Sequence, residues 1–178
     1  MKTSLRIGSG AAWWGDRVEP AALNAEQGQL DYLCFETMAE ATVSAAQVRA
    51  RRDPTFPGYD TYLDDRFKAV LPACMDQGTR IVSNQGWINP NAAAQRIVHW
   101  LRHFGFKGVK VAAVNGSLIT DRVLSLTDRI LENGQPTSTL ADTLISAEVY
   151  LGAEPIVQAL KNGAQIVVTG RVADPSIF

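Results

Sequence analysis

The chain has 178 residues, 46 % of them hydrophobic and 20 % charged, which suits a folded domain with one substantial core and excludes a disordered chain. A formal net charge of −1 offers no field to recruit nucleic acid or anionic lipid, so neither kind of partner is expected. No apolar run approaches the ~18 residues of a membrane span, and the N-terminus has no long apolar segment, so a cytoplasmic enzyme or binding protein is expected.

One pattern recurs along the chain. A helical stretch ends at a glycine, a short apolar run follows, and the run ends in small polar residues. Leu5-Arg-Ile7 followed by Gly8-Ser9-Gly10 opens the series. Gly28 leads into Leu30-Asp-Tyr-Leu-Cys-Phe35 and then Glu36. A helix over 38–52 follows, stopped by Asp53-Pro54, and the proline- and glycine-bearing stretch 53–60 reads as a loop. A helix over 62–77 should be broken or kinked near Pro72. Gly78 then leads into Arg80-Ile-Val-Ser83 and Asn84-Gln85-Gly86.

Asn89-Pro90 reads as an N-cap followed by proline at the first helical position, with Ala93, Ile97, Leu101 and Phe104 on one face. Gly108 leads into Val109-Lys-Val-Ala-Ala-Val114 and Asn115-Gly-Ser117. The stretch 118–150, with its Asn133-Gly-Gln-Pro136 turn, reads as an excursion from regular structure. A short helix over 155–162 ends at Gly163, which leads into Gln165-Ile-Val-Val168 and Thr169-Gly170-Arg171.

The glycines suit left-handed C′ positions, and runs rich in Val and Ile suit strands buried on both faces. The fold expected is α/β: a mostly parallel, open, Rossmann-like doubly wound sheet flanked by helices. A closed barrel normally takes about 250 residues. Asp174-Pro175 announces a helix that three further residues cannot form. Residues 1–178 are therefore read as a single α/β domain, either the N-terminal piece of a longer protein or a fragment whose incomplete sheet needs a partner.

In an open α/β sheet, ligands bind outside the carboxyl ends of the strands. The candidate substrate-binding residues are Ser9, Gly10, Arg17, Asn84, Gln85, Asn89, Asn115, Thr169, Gly170, Arg171 and Asp174. The bland alternative is that small polar residues simply make good turns. Glu36 and Asp16 are the candidate acid and base, since a carboxyl buried at a strand end can be tuned toward neutrality; each could equally be a loop carboxylate or a cap.

Arg171 is the candidate anion binder, with a structural pair to Asp174 or another carboxylate as its alternative. The first loop fails as a dinucleotide fingerprint, because Trp13 stands where G-x-G-x-x-G requires glycine. Trp13 and Trp14 are either packing anchors or one anchor and one flank of the ligand site. His99 and His103 stand four apart but lack the H-E-x-x-H signature, and Cys34 and Cys74 read as small core residues. No metal site is expected, and the residues name no cofactor.

Several segments are familiar together: Ile7-Gly-Ser-Gly-Ala-Ala-Trp-Trp-Gly-Asp-Arg17, Ile81-Val-Ser-Asn-Gln-Gly86, Tyr150-Leu-Gly-Ala-Glu-Pro-Ile156 and Thr169-Gly-Arg-Val-Ala-Asp-Pro-Ser176. Their order resembles the N-terminal part of the acyclic terpene utilisation (AtuA) family, over nearly the whole chain. The resemblance implies bacterial catabolism of branched acyclic terpenes and related acyl-CoA or carboxylate compounds. The expected ligand is accordingly a small-molecule acyl-CoA or carboxylate, and the expected role an enzyme or enzyme subunit with a hydratase or lyase step. The competing expectation is a non-catalytic subunit that completes its sheet with a partner chain; a homo-oligomer or a partner subunit is expected in either case.

Overall fold

The computed structural model describes residues 4–173, so Asp174 lies outside the described residues. The strands are β1 (Ile7–Ala11), β2 (Tyr32–Phe35), β3 (Arg80–Ser83), β4 (Val111–Val114) and β5 (Ile166–Thr169). They form one open, all-parallel sheet in the order β1-β2-β3-β5-β4. The helices are α1 (Glu19–Gln27), α2 (Glu40–Arg52), α3 (Leu63–Gln77), α4 (Pro90–His103), α5 (Thr120–Ser125) and α6 (Glu154–Lys161).

The strand order decides which face each helix covers. From β1 through β3, and on to β4, every connection steps in one direction across the sheet. Right-handed crossovers then place their helices on one face. Ala21 and Ala25 of α1, Phe67 and Leu71 of α3, and Ile97 and Leu101 of α4 accordingly share a core with Leu33, Phe35, Ile81 and Val168. The connection from β4 to β5 steps back, and Ile156 of α6 packs with Val82, Val114 and Val167 on the opposite face. Helix α2 joins neither layer. Its Val43 and Ala46 pack with Met38, Phe56 and Trp87 over the loops that follow β2 and β3.

Four expectations change in detail. Gly8 and Gly10 belong to β1 itself and not to a loop after it; a Cβ at Gly10 would fall 2.4 Å from the Phe35 ring. Gly78 does cap α3 in the left-handed region (φ 73°), whereas Gly28 is right-handed (φ −70°) and Gln29 makes the turn instead (φ 49°). Helix α3 runs unbroken through Pro72, because Phe67, Val70, Leu71 and Cys74 stay fully buried on either side of it. That packing outweighs the ~3 kcal/mol a proline costs inside a helix. Strand β2 is fully buried on one face only: Leu33 and Phe35 are covered, while Tyr32 and Cys34 are partly buried against the opposite core.

Asn89 caps α4 as expected, its side chain accepting from the Ala92 amide at 3.2 Å. The stretch 118–150 is an excursion, with short helices and isolated antiparallel bridges at Leu118–Glu148 and Arg129–Pro136. It leans back on α2: Arg51 donates to the carbonyls of Leu144 and Ile145, and Gln47 to Glu148.

Candidate functional site

The strand ends carry two polar groups of residues and an aromatic cavity. The first group surrounds Glu36, at the end of β2. Its Oε1 accepts from Asn84 Nδ2 at 2.7 Å and from the Met38 amide at 3.0 Å. Asn84 is buried, and its Oδ1 accepts from the Thr37 amide at 2.7 Å, so one side chain fixes both the carboxylate and the loop that bears it. Parallel pairing of β2 with β3 makes this possible, because Phe35 lies opposite Ser83 and the next residues emerge side by side. Glu36 lines a hollow of about 260 Å³ together with Ser9, Ala12 and Cys34. Burial pushes the Cys34 thiol up to about 11 and the Cys74 thiol up to about 12, so at neutral pH both are thiols and poor nucleophiles.

Asp16 lies elsewhere and has a different task. Its Oδ2 accepts from the amides of Ala12 (2.7 Å) and Trp13 (2.9 Å), which braces the loop after β1. It lines a separate hollow with Gly10, Gly15 and Arg17, so it and Glu36 open onto different spaces. Arg17 is exposed and makes a surface pair with Glu19 at 3.3 Å, worth little.

The second group forms where the loops after β3, β4 and β5 meet the start of α4. Gly86 and Gly170 let these backbones touch. A Cβ on Gly86 would stand 2.5 Å from the Thr169 carbonyl oxygen, and one on Gly170 would stand 2.7 Å from that of Trp87. Thr169 is buried and donates to the Gly170 carbonyl. Asn115 donates to Asn91, and Asn89 donates to the Pro57 carbonyl besides capping α4. These residues converge as the topology requires, and several of their polar atoms are already engaged within the protein.

Arg171 is 2 % exposed, and its guanidinium is committed to the protein. It donates to the Met38 carbonyl and to Glu40 Oε1 (2.7 Å), and it stacks 4.0 Å over the Tyr150 ring. The Tyr150 hydroxyl also donates to Glu40; that bond, and then the charge of Arg171, hold Glu40 below the usual carboxylate range. The structural alternative for Arg171 is thus realised with Glu40.

A buried network beneath the site is not anticipated from the motifs. Asp60 and Arg66 are both fully buried and paired at 2.7 Å, and Gln85 Nε2 donates to the same Asp60 oxygen at 2.9 Å. Gln85 is therefore an internal brace, out of a ligand's reach. Arg66 also donates to the carbonyls of Trp14 (2.6 Å) and Asp16 (3.1 Å), tying α3 to the loop after β1. Burial raises the Asp60 carboxyl above its ordinary value despite these donors. The signal was present: Arg66 falls on the same helical stripe as Leu63, Phe67 and Val70, where a charge must find a partner.

The aromatic cavity, about 350 Å³, lies beside these groups and is walled by Trp13, Trp14, Trp87 and Phe56, with Ala45 and Arg49 of α2. Trp14 packs edge-on to Trp87, their ring centroids 6.1 Å apart. Trp87 is buried, donates from Nε1 to Thr37 Oγ1 at 3.2 Å, and holds φ at +44°. Such a backbone is a genuine outlier for a bulky residue.

Among the described residues no group of three or more His, Cys, Asp or Glu side chains could hold a metal ion, and no helix is long and apolar enough to cross a membrane. His99 and His103 are exposed and flank the Trp100 ring. No curated protein and no solved structure matches the chain. One family model does, over residues 5–178, which is nearly the full length and includes both polar groups and the aromatic cavity. The chain therefore belongs to the acyclic terpene utilisation family AtuA, which implies a role in acyclic terpene utilisation.

Proposed function

We propose that the chain binds a branched acyclic acyl-CoA, or the matching carboxylate, at the C-terminal ends of its strands, and that it serves a hydratase or lyase step in the breakdown of that compound. The observation that supports this reading is the Glu36 carboxylate. It is oriented by Asn84 and the Met38 amide, and it lines a hollow at the sheet crest. A carboxylate held in this way can take a proton from water or carbon and return it in the next step. Ser9 supplies a hydroxyl on the same wall. Asp16, Arg66 and Gln85 act through the backbone they brace, and Arg171 keeps Glu40 and Tyr150 in place. The family setting supports the choice of substrate class.

The test is a thermal-shift series with coenzyme A, citronellic acid, citronellyl-CoA and NAD, followed by a turnover assay on whichever thioester binds. Stabilisation by the thioester and loss of turnover in Glu36→Gln are expected. Turnover that survives Glu36→Gln would remove Glu36 from the reaction.

One observation favours a second reading, a non-catalytic subunit whose sheet is completed by a partner chain. Strand β4 is bonded on one side only, to β5, and a hollow of about 610 Å³ runs along residues 110–115 beside α6. A monodisperse monomer that turns over substrate would eliminate this reading.

A further inference from the structure

The geometry points to the cavity between Trp13, Trp14 and Trp87 as a hydrocarbon-chain site, which takes the aliphatic part of an anionic ligand while Arg49 reads its negative end. This assignment rests on the reading of the strand ends as the ligand site and adds which part of the ligand binds where.

The lining is selective. Three indoles and the Phe56 ring form the walls, and on the α2 side Ala41, Ala45 and Ala46 leave the space empty where longer side chains would fill it. At about 350 Å³ the cavity sits at the small end of the roughly 300–1,000 Å³ typical of small-molecule sites. Besides the Thr42 and Thr61 hydroxyls and the indole N–H groups, the lining carries one charged residue, Arg49. Asp53 stands 3.9 Å from that cation, and a ligand carboxylate or a phosphate of coenzyme A could approach it more closely.

The walls are also held in an arrangement that folding alone does not favour. Trp13 is 62 % exposed and Trp14 is 37 % exposed, large apolar surface that a core would have absorbed. Arg66, from the interior, holds the Trp14 carbonyl, and Asp16 holds the Trp13 amide, so the backbone that carries both rings is braced. Trp87 completes the wall from a left-handed backbone that L-residues resist. Arg49 is half-exposed, lying 4.4 Å over the Phe56 ring and 3.9 Å from an Asp53 oxygen, which keeps its guanidinium at the cavity wall without closing it off from solvent.

Tryptophan fluorescence tests the assignment directly, because three of the chain's four tryptophans line the cavity. Titration with citronellic acid should change the emission and raise Tm. Trp13→Ala, which removes an exposed ring the core does not need, should weaken binding by about tenfold or more. Arg49→Gln should weaken citronellic acid by a similar factor and leave the alcohol citronellol unaffected. Failure of the lyase reading alone would appear in the wild type, as absent turnover with the fluorescence response intact. An unresponsive wild type, or Trp13→Ala that binds citronellic acid normally, would overturn the hydrocarbon site. So would a dimer that Trp13→Ala converts to a monomer with no acid binding in either, since the tryptophans would then face a second copy of the chain.

Discussion

Trp87 and Thr37 meet across the loops after β3 and β2, indole Nε1 to hydroxyl Oγ1 at 3.2 Å, and the tryptophan reaches that position only with φ at +44°. Glycine adopts this backbone freely, whereas alanine resists it by about 1–2 kcal/mol. Trp87→Gly should therefore unfold at a higher urea concentration than Trp87→Ala, the reverse of the usual order for these residues. Equal midpoints, or the ordinary order, would show that the loop relaxes once the indole is gone.

Asn84 is asked to be a donor on one side and an acceptor on the other. Asn84→Asp keeps the shape and the acceptor for the Thr37 amide but turns the donor facing Glu36 into a second carboxylate oxygen. A loss of about 1–3 kcal/mol at neutral pH is expected, from like-charge repulsion and a lost buried hydrogen bond. The loss should shrink when Glu36 is replaced by Gln in the same chain, because the amide faces the new carboxylate without repulsion. Urea midpoints of the single and double variants decide this, and a deficit that Glu36→Gln does not relieve would contradict the geometry.

Gly86 makes the contact between the loops after β3 and β5 possible. Gly86→Ala would place a methyl group 2.5 Å from the Thr169 carbonyl oxygen and 2.8 Å from Pro90 Cα, both backbone atoms that cannot rotate away. A destabilisation of about 1–3 kcal/mol should appear as a lowered Tm. Gly78→Ala makes a useful contrast, since nothing lies within 4 Å of a Cβ there and only its left-handed φ opposes the change.

Asp64 takes Arg96 through both of its oxygens, at 2.7 and 2.5 Å, and the Trp100 indole at 2.7 Å. The hydrogen bonds from Arg96 are the main cause holding this carboxyl below its ordinary value of 3.8. A depressed folded-state value contributes stability above the unfolded value, and that contribution is lost as the pH falls through the folded one. Arg96→Gln should thus be less stable than the wild type at neutral pH by up to about 1 kcal/mol, as for a partly exposed pair. The difference should narrow once the pH drops below about 4. A constant gap across that range would mean that Arg96 acts through packing alone.

Much of the fold was legible because its signals are local. Gly78 and Gly163 follow the ends of α3 and α6 with left-handed φ, and the apolar runs after them are β3 and β5, whereas α4 is ended by Gly105 and Gly108 only leads into β4. Asn89-Pro90 starts a helix by capping chemistry that a few residues determine. The site was less legible because its walls come from residues far apart in the chain. Trp13, Phe56 and Trp87 meet only after α2 folds over the strand ends, and no spacing announces that. Polar residues at the strand ends were found, but their division of labour was not. Gln85 turns inward to Asp60 while its neighbour Asn84 turns to Glu36, and a one-residue difference of this kind is settled by packing.

The place of β5 bears on how the chain comes to be folded. Strand β4 precedes β5 in the chain, yet it bonds to no other strand, and β5 lies between it and β3. As the polypeptide emerges from the ribosome, β1, β2 and β3 can pair in turn, but β4 must wait beside α4 with its edges unsatisfied until residues 166–169 arrive and slot into the gap. The step that closes the sheet is therefore the insertion of a late segment into its middle, a long-range contact of the kind that slows folding and prolongs exposure to misassembly. Ribosome-bound chains halted before residue 166 should hold a three-stranded nucleus and leave Val111 to Val114 open to proteases and chaperones.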